Sequence, residues 1–191
     1  MTMVFAGNLR NDLVPSSPVV GVLAHPPVEQ VDETFVMEYV VEFLESAGIQ
    51  VVPLLYDDPY LESQLQLISG VYLPDGNVDV TLDHPYVKAA NAIYKYALKR
   101  HSEQDPFPLL GMCQGHQILA ALAAGTADVI AKKAYTTTDV ALSLNINGDG
   151  GEMLGSLPPN VRQILENKPV TANLHSDGVP PEMWDDLEGS S

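Results

Sequence analysis

The chain has 191 residues, of which 25 are acidic, nine are lysine or arginine and 46% are apolar, giving a formal net charge of −16. That length and balance suit one globular domain with a core of its own and argue against global disorder. The acidity disfavours nucleic acid and anionic membrane surfaces as partners, the lone cysteine excludes an intrachain disulfide, and no apolar stretch is long enough to span a bilayer.

Residues 1–17 read as a loose leader without the continuous apolar core of a signal peptide. Val19-Val20-Gly21-Val22-Leu23-Ala24 is a short apolar run with the pattern of a buried parallel strand, closed by His25-Pro26-Pro27. Asp32 or Thr34 is placed to cap a helix whose apolar face takes Val36, Val40, Phe43, Leu44 and Ala47. Gly48 stands where that helix needs a left-handed residue. A second strand follows over Ile49 to Leu55, then a short helix around Pro59 to Leu67. A third strand, Gly70 to Leu73, is broken by Pro74-Asp75-Gly76-Asn77. Val87, Ala90, Ile93, Tyr94 and Ala97 recur at helical spacing, so His84 to His101 reads as a long amphipathic helix before a fourth strand, Phe107 to Leu110. Strands alternating with helices through short links give an α/β fold with a parallel sheet covered on both faces. Past Gly125 the texture changes. Ala141 to Ile146 and Gly151 to Leu157 read as a β-rich excursion, residues 161–166 as a helix and Val170 to Leu174 as a short strand. The predicted domain is residues 18–178, followed by a ragged tail, 179–191, that holds Trp184.

The stretch Gly111-Met112-Cys113-Gln114-Gly115-His116-Gln117 lies between the fourth strand and an apolar helical run, Ile118 to Ala124. A cysteine flanked by glycines at a strand-to-helix turn has the outline of a nucleophile elbow, with sulfur in place of serine oxygen. The helix N-terminus should favour the thiolate. The alternative is a small buried hydrophobe. Attack on an amide also needs a base and oxyanion donors. The backbone N–H of Gln114 is the natural first donor, and the loop Asp75-Gly76-Asn77 is placed to give the second through Gly76, although Pro-Asp-Gly is equally an ordinary turn. Five histidines are available as base. His25 reads as a loop residue, His84 and His101 as solvent-facing, and His116 lies on the elbow helix itself. His175 is the one at a strand end late in the chain, and is otherwise a surface histidine. No metal-ligand spacing is present, so no metal is expected, and no glycine-rich phosphate loop is found.

These residues resemble the class I glutamine amidotransferase-like proteins, and within them the γ-glutamyl hydrolases, which act on folate poly-γ-glutamates. The similarity is carried by Val20-Gly21-Val22-Leu23, by Phe43-Leu44-Glu45-Ser46-Ala47-Gly48 with Val51-Val52-Pro53, and by Leu73-Pro74-x-Gly76-x-Val78-Asp79. It continues through Phe107-Pro108-x-x-Gly111-x-Cys113-x-Gly115, Asp139-Val140-Ala141-Leu142 and Thr171-Ala172-Asn173-Leu174-His175. The resemblance implies a flavodoxin-like three-layer α/β/α sandwich and hydrolysis of γ-glutamyl bonds through a thioester on Cys113, with no cofactor. It implies an oxyanion hole at Gly76 and Gln114, His175 near the active centre without being the principal base, and substrate contacts at Gln117 and Asn77.

The sequence departs from the family pattern in four ways. Asp75 replaces a glycine of the oxyanion loop, and His116-Gln117 follows the amidotransferase pattern. No secretory leader is recognised, and the Trp-His-Pro that carries the family's base is not found before Ser191. The expectation is therefore a domain lacking the closing C-terminal strands and turning over slowly by itself, since base catalysis is worth about 10²–10⁴ in rate. The alternatives are a glutaminase subunit of an amidotransferase or a non-catalytic γ-glutamyl-binding remnant. The expected partners are a small-molecule substrate, a γ-glutamyl peptide or folate polyglutamate, and optionally a second copy in a homodimer. The cytoplasm is the expected compartment, with vacuole, lysosome or extracellular space as the family alternative.

Overall fold

The computed structural model describes residues 17–183 apart from Gln30 and Thr136, so nearly all of the predicted leader and the end of the tail, with Trp184, lie outside the described residues. The described residues form two compact units. The first runs to Gly76 and resumes over Pro85–Gly115; the second takes Asn77–His84 and the residues from His116 onward.

The first unit holds β1 (Val19–Ala24), α1 (Glu38–Ser46), β2 (Gln50–Leu55), α2 (Leu61–Leu65), β3 (Gly70–Leu73), α3 (Pro85–Ser102) and β4 (Leu109–Gly111). Its four-stranded sheet has the order β2-β1-β3-β4 and is parallel throughout, as the alternation of strand and helix predicts. The last four residues of β1 and all of β3 are buried, which is why both read as unbroken apolar runs rather than alternating ones. The chain moves from β1 out to β2, then crosses to β3 and β4. Such a reversal opens a crevice at the carboxyl ends of the strands on either side of it, here β1 and β3.

Val22, Val40, Leu44 and Tyr72 form a core against which Val20, Ile49 and Val51 pack. Helix α1 starts later than its predicted caps: Met37 is the N-cap and makes no side-chain capping bond. Asp32 and Thr34 fall short of it because His25 and Phe35 exchange backbone hydrogen bonds of 2.8 and 3.1 Å, holding that segment extended. Only Val40 and Leu44 of α1 are buried, and Phe43 is 52% exposed. Gly48 ends the helix with φ +80°, as expected. The far end of α3 is pinned by Arg100, which donates to Tyr96 Oη at 2.7 Å and Asp105 at 2.6 Å, while Tyr96 meets the buried Phe107 edge-on.

Helix α4 (Gln114–Ala124) begins in the first unit and continues in the second. The second unit also has β5 (Thr137–Leu142), α5 (Gly151–Gly155), α6 (Pro159–Asn167) and β6 (Thr171–His175). Strands β5 and β6 pair antiparallel in a sheet of their own, with a bulge before Val140 where Asp139 takes φ +59°. The predicted strand over Gly151 to Leu157 is instead α5. Gly150 at φ +89° turns the chain into it, and Asp149 Oδ1 accepts from the Gly151 N–H at 2.9 Å. Among the described residues no helix is long and apolar enough to cross a membrane.

Candidate active site

In the parallel pair β3–β4, Leu73 stands opposite Gly111, and the Met112 N–H donates to the Leu73 carbonyl at 3.0 Å. Beyond that pair the two segments leave the sheet as neighbouring loops, and the Asp75 charge is close enough to act on Cys113. Adjacent strands are only about 4.8 Å apart. The two loops stay in contact: a Cβ on Gly76 would strike the His25 ring and come within 3.0 Å of Gln114 Oε1. A Cβ on Gly115 would strike the Leu73 carbonyl, so the start of α4 rests directly on the end of β3. Close backbone approach, not turn geometry alone, requires glycine at both positions.

Cys113 has φ +50°, in the left-handed region that a residue with a side chain enters only when its surroundings impose it. This is the conformation of a nucleophile elbow, and the thiol is solvent-exposed, which sets aside the buried-hydrophobe alternative. The Gly115 N–H donates to the Met112 carbonyl at 2.8 Å, whereas the Gln114 N–H points at the sulfur and favours its thiolate. The expectation that the helix start leaves the thiol acidic is nevertheless corrected. Partial burial, with the Asp75 charge as a lesser cause, outweighs the Gln114 N–H and pushes the thiol above its ordinary value.

Two neighbours of this centre, Tyr39 and His25, were not read as site residues in the sequence. Tyr39, on α1, donates its hydroxyl to Asp75 at 2.7 Å to one carboxylate oxygen and 2.6 Å to the other; burial and that carboxylate raise its pKa. His25 is no loop residue. It is 4% exposed, stacks on Tyr86 with centroids 5.6 Å apart, and lies against Gly76. Burial lowers its pKa, partly opposed by a hydrogen bond from the ring to the Asp75 backbone and by the Asp75 charge, and its Nε2 has no hydrogen-bond partner among the described residues. A histidine ending a buried strand at the carboxyl edge of a parallel sheet was the signal for it; nothing in the sequence paired Tyr39 with Asp75.

The first unit thus brings together Cys113, Gln114 and Gly76. The other predicted site residues belong to the second unit. Asn77 is exposed. The Gln117 side-chain amide donates to the Asp177 carbonyl at 3.0 Å. His175 closes β6 opposite Thr137, and together with partial burial it holds the His116 pKa below its usual value, burial being the larger cause. Among the described residues no three His, Cys, Asp or Glu side chains gather as metal ligands would.

The family model described as Peptidase C26 matches residues 18–144, well over half of the chain and inclusive of the elbow. The chain belongs to the Peptidase C26 family. Gamma-glutamyl hydrolase B of Dictyostelium discoideum is 32% identical to it over 178 residues, covering 89% of this chain and 51% of the relative. Gamma-glutamyl hydrolase of Homo sapiens is 31% identical over 166 residues, covering 83% and 51%. Gamma-glutamyl hydrolase 1 of Arabidopsis thaliana is 27% identical, covering 86% and 49%. The resemblance read from the motifs is therefore upheld, and the chain spans about half the length of these curated relatives. A solved structure from Thermoplasma acidophilum, provisionally described as a GMP synthase component, matches 72% of this chain and 60% of its own at 13% identity and a TM-score of 0.46.

Proposed function

We propose that this Peptidase C26 chain hydrolyses γ-glutamyl bonds through a thioester on Cys113. The observation that carries the reading is the exposed Cys113 with the Gln114 N–H directed at its sulfur, the Gln114 side chain lying against Gly76. The sulfur attacks the γ-carbonyl carbon and a carbon–sulfur bond forms. The carbonyl oxygen gathers negative charge, which the backbone N–H groups of Gly76 and Gln114 stabilise. The carbon–nitrogen bond breaks, and the amine leaves with the proton that the thiol gives up. Water then attacks the thioester, releasing the γ-carboxylate and returning a proton to sulfur. Folate poly-γ-glutamates are the substrate the family resemblance suggests. The same resemblance assigns His175 a place near the active centre, and Gln117 and Asn77 contacts with substrate; a fall in kcat for His175→Ala would support the first assignment.

The test is release of amine from a γ-glutamyl amide by the full chain, compared with Cys113→Ala and with free glutamine as substrate. We expect cleavage that Cys113→Ala abolishes. Because the thiol is harder to ionise than an ordinary cysteine, the rate should climb as the pH rises towards and past 9.0, the ordinary value for this group. Preferred hydrolysis of free glutamine would replace this reading with a glutaminase.

A further inference from the structure

We propose that Asp75 makes this site selective for γ-glutamyl groups whose α-nitrogen is a free ammonium, an inference that rests on the γ-glutamyl hydrolase reading above but departs from folate poly-γ-glutamates, whose scissile units are acylated at that nitrogen. Asp75 and Cys113 each lie two residues beyond the paired ends of β3 and β4, Gly76 lies against the Gln114 side chain, and the Asp75 charge reaches the thiol. The Tyr39 hydroxyl donates to the carboxylate, 2.6 and 2.7 Å from its two oxygens, and holds it in place. Among the described residues no cationic side chain pairs with it. His25 lies against the same loop, but burial works against its charged form and its ring bonds the Asp75 backbone. An uncompensated negative charge therefore sits next to an atom that must become a thiolate, beside a hole that must hold an oxyanion. Left alone, this opposes both steps.

A substrate can supply the missing counter-charge. In a γ-glutamyl compound with an unmodified α-nitrogen, an ammonium lies a few bonds from the scissile carbonyl and can meet Asp75 as the sulfur approaches. In a γ-glutamyl unit acylated at that nitrogen, as inside a poly-γ-glutamate chain, only the α-carboxylate remains charged, and it adds to the repulsion. The preferred class is thus γ-glutamyl peptides and N-substituted γ-glutamyl amides with a free α-ammonium, free glutamine differing from them in its ammonia leaving group.

Cys113 is the only thiol in the chain, so alkylation of the intact protein reads this site without requiring turnover. Rates with 2-bromoethylammonium and with iodoacetate, each divided by that of the same reagent with N-acetylcysteine, give a cation-to-anion preference. We expect about tenfold or more in the wild type at low salt, falling to within about twofold of unity in Asp75→Asn, which keeps an acceptor for Tyr39. About 1 M salt should shrink the wild-type preference without any variant. In turnover, L-γ-glutamyl-p-nitroanilide should exceed its N-acetyl derivative about tenfold in kcat/KM, and Asp75→Asn should narrow that gap. A preference near unity in the wild type, or one that survives both Asp75→Asn and salt, overturns the inference. Equal turnover of the two anilides overturns it while leaving the hydrolase reading in place. Cleavage of neither, with charge-selective alkylation intact, overturns the hydrolase reading and leaves the cation preference standing.

Discussion

Strands β1 and β6 are nearly equal in length, six and five residues, yet they are different kinds of object. β1 is paired on both edges, to β2 and β3, and its last four residues are sealed from water. β6 has one partner, and its burial alternates residue by residue, with Leu174 71% exposed. In β1 the side chains hold the sheet together, and the chemistry is left to the loops at the carboxyl edge. In β6 the backbone pairing does most of the holding. Local sequence announces a strand in both cases; the number of neighbours each acquires decides what a substitution does.

The contrast can be broken by mutation. Leu23→Ala, at a fully buried position of β1, should lower stability by about 3 kcal/mol in urea unfolding. Gly115→Ala forces a methyl against the Leu73 carbonyl and should cost about 1–3 kcal/mol, with a larger loss of Cys113 alkylation rate because the elbow must shift. Acidification probes the His25 end of β1. The ordinary histidine value is 6.5 and burial lowers that of His25, so its contribution is complete above 6.5 and is lost as pH falls through that value. The melting temperature should drop on the acid side of 6.5, and His25→Phe should flatten the slope, leaving the part due to His116, whose shift has the same sign. Leu174→Ala in β6 should change stability by no more than about 0.5 kcal/mol. A loss of several times that size would mean that β6 is as deeply packed as β1, and the comparison would fall.

Periodicity and apolar runs located β1, β2, β3, α3 and α6 closely, and Gly48 and Gly115 could be read because a helix end and a helix–strand contact each leave a local mark. The start of α1 could not, because the hydrogen bonds between His25 and Phe35 that delay it join residues ten apart. Nor could α5, whose start is set by Gly150 and Asp149 in a segment with weak periodicity. Within the candidate site, Cys113, Gly76 and Gln114 were legible as a strand–turn–helix pattern and its facing loop. The raised thiol was not. The helix N-terminus is a local feature, whereas the burial and charge that oppose it come from the packed sheet and from Asp75, held by a tyrosine 36 positions earlier in the chain.

The Leu73 carbonyl has one more consequence. It accepts the Met112 N–H and carries Gly115 directly on top of it, while the Pro74–Gly76 loop grows from the same residue. The proposed nucleophile and the proposed second oxyanion donor thus hang from a single peg, so a substitution that displaces Leu73 should disturb both at once.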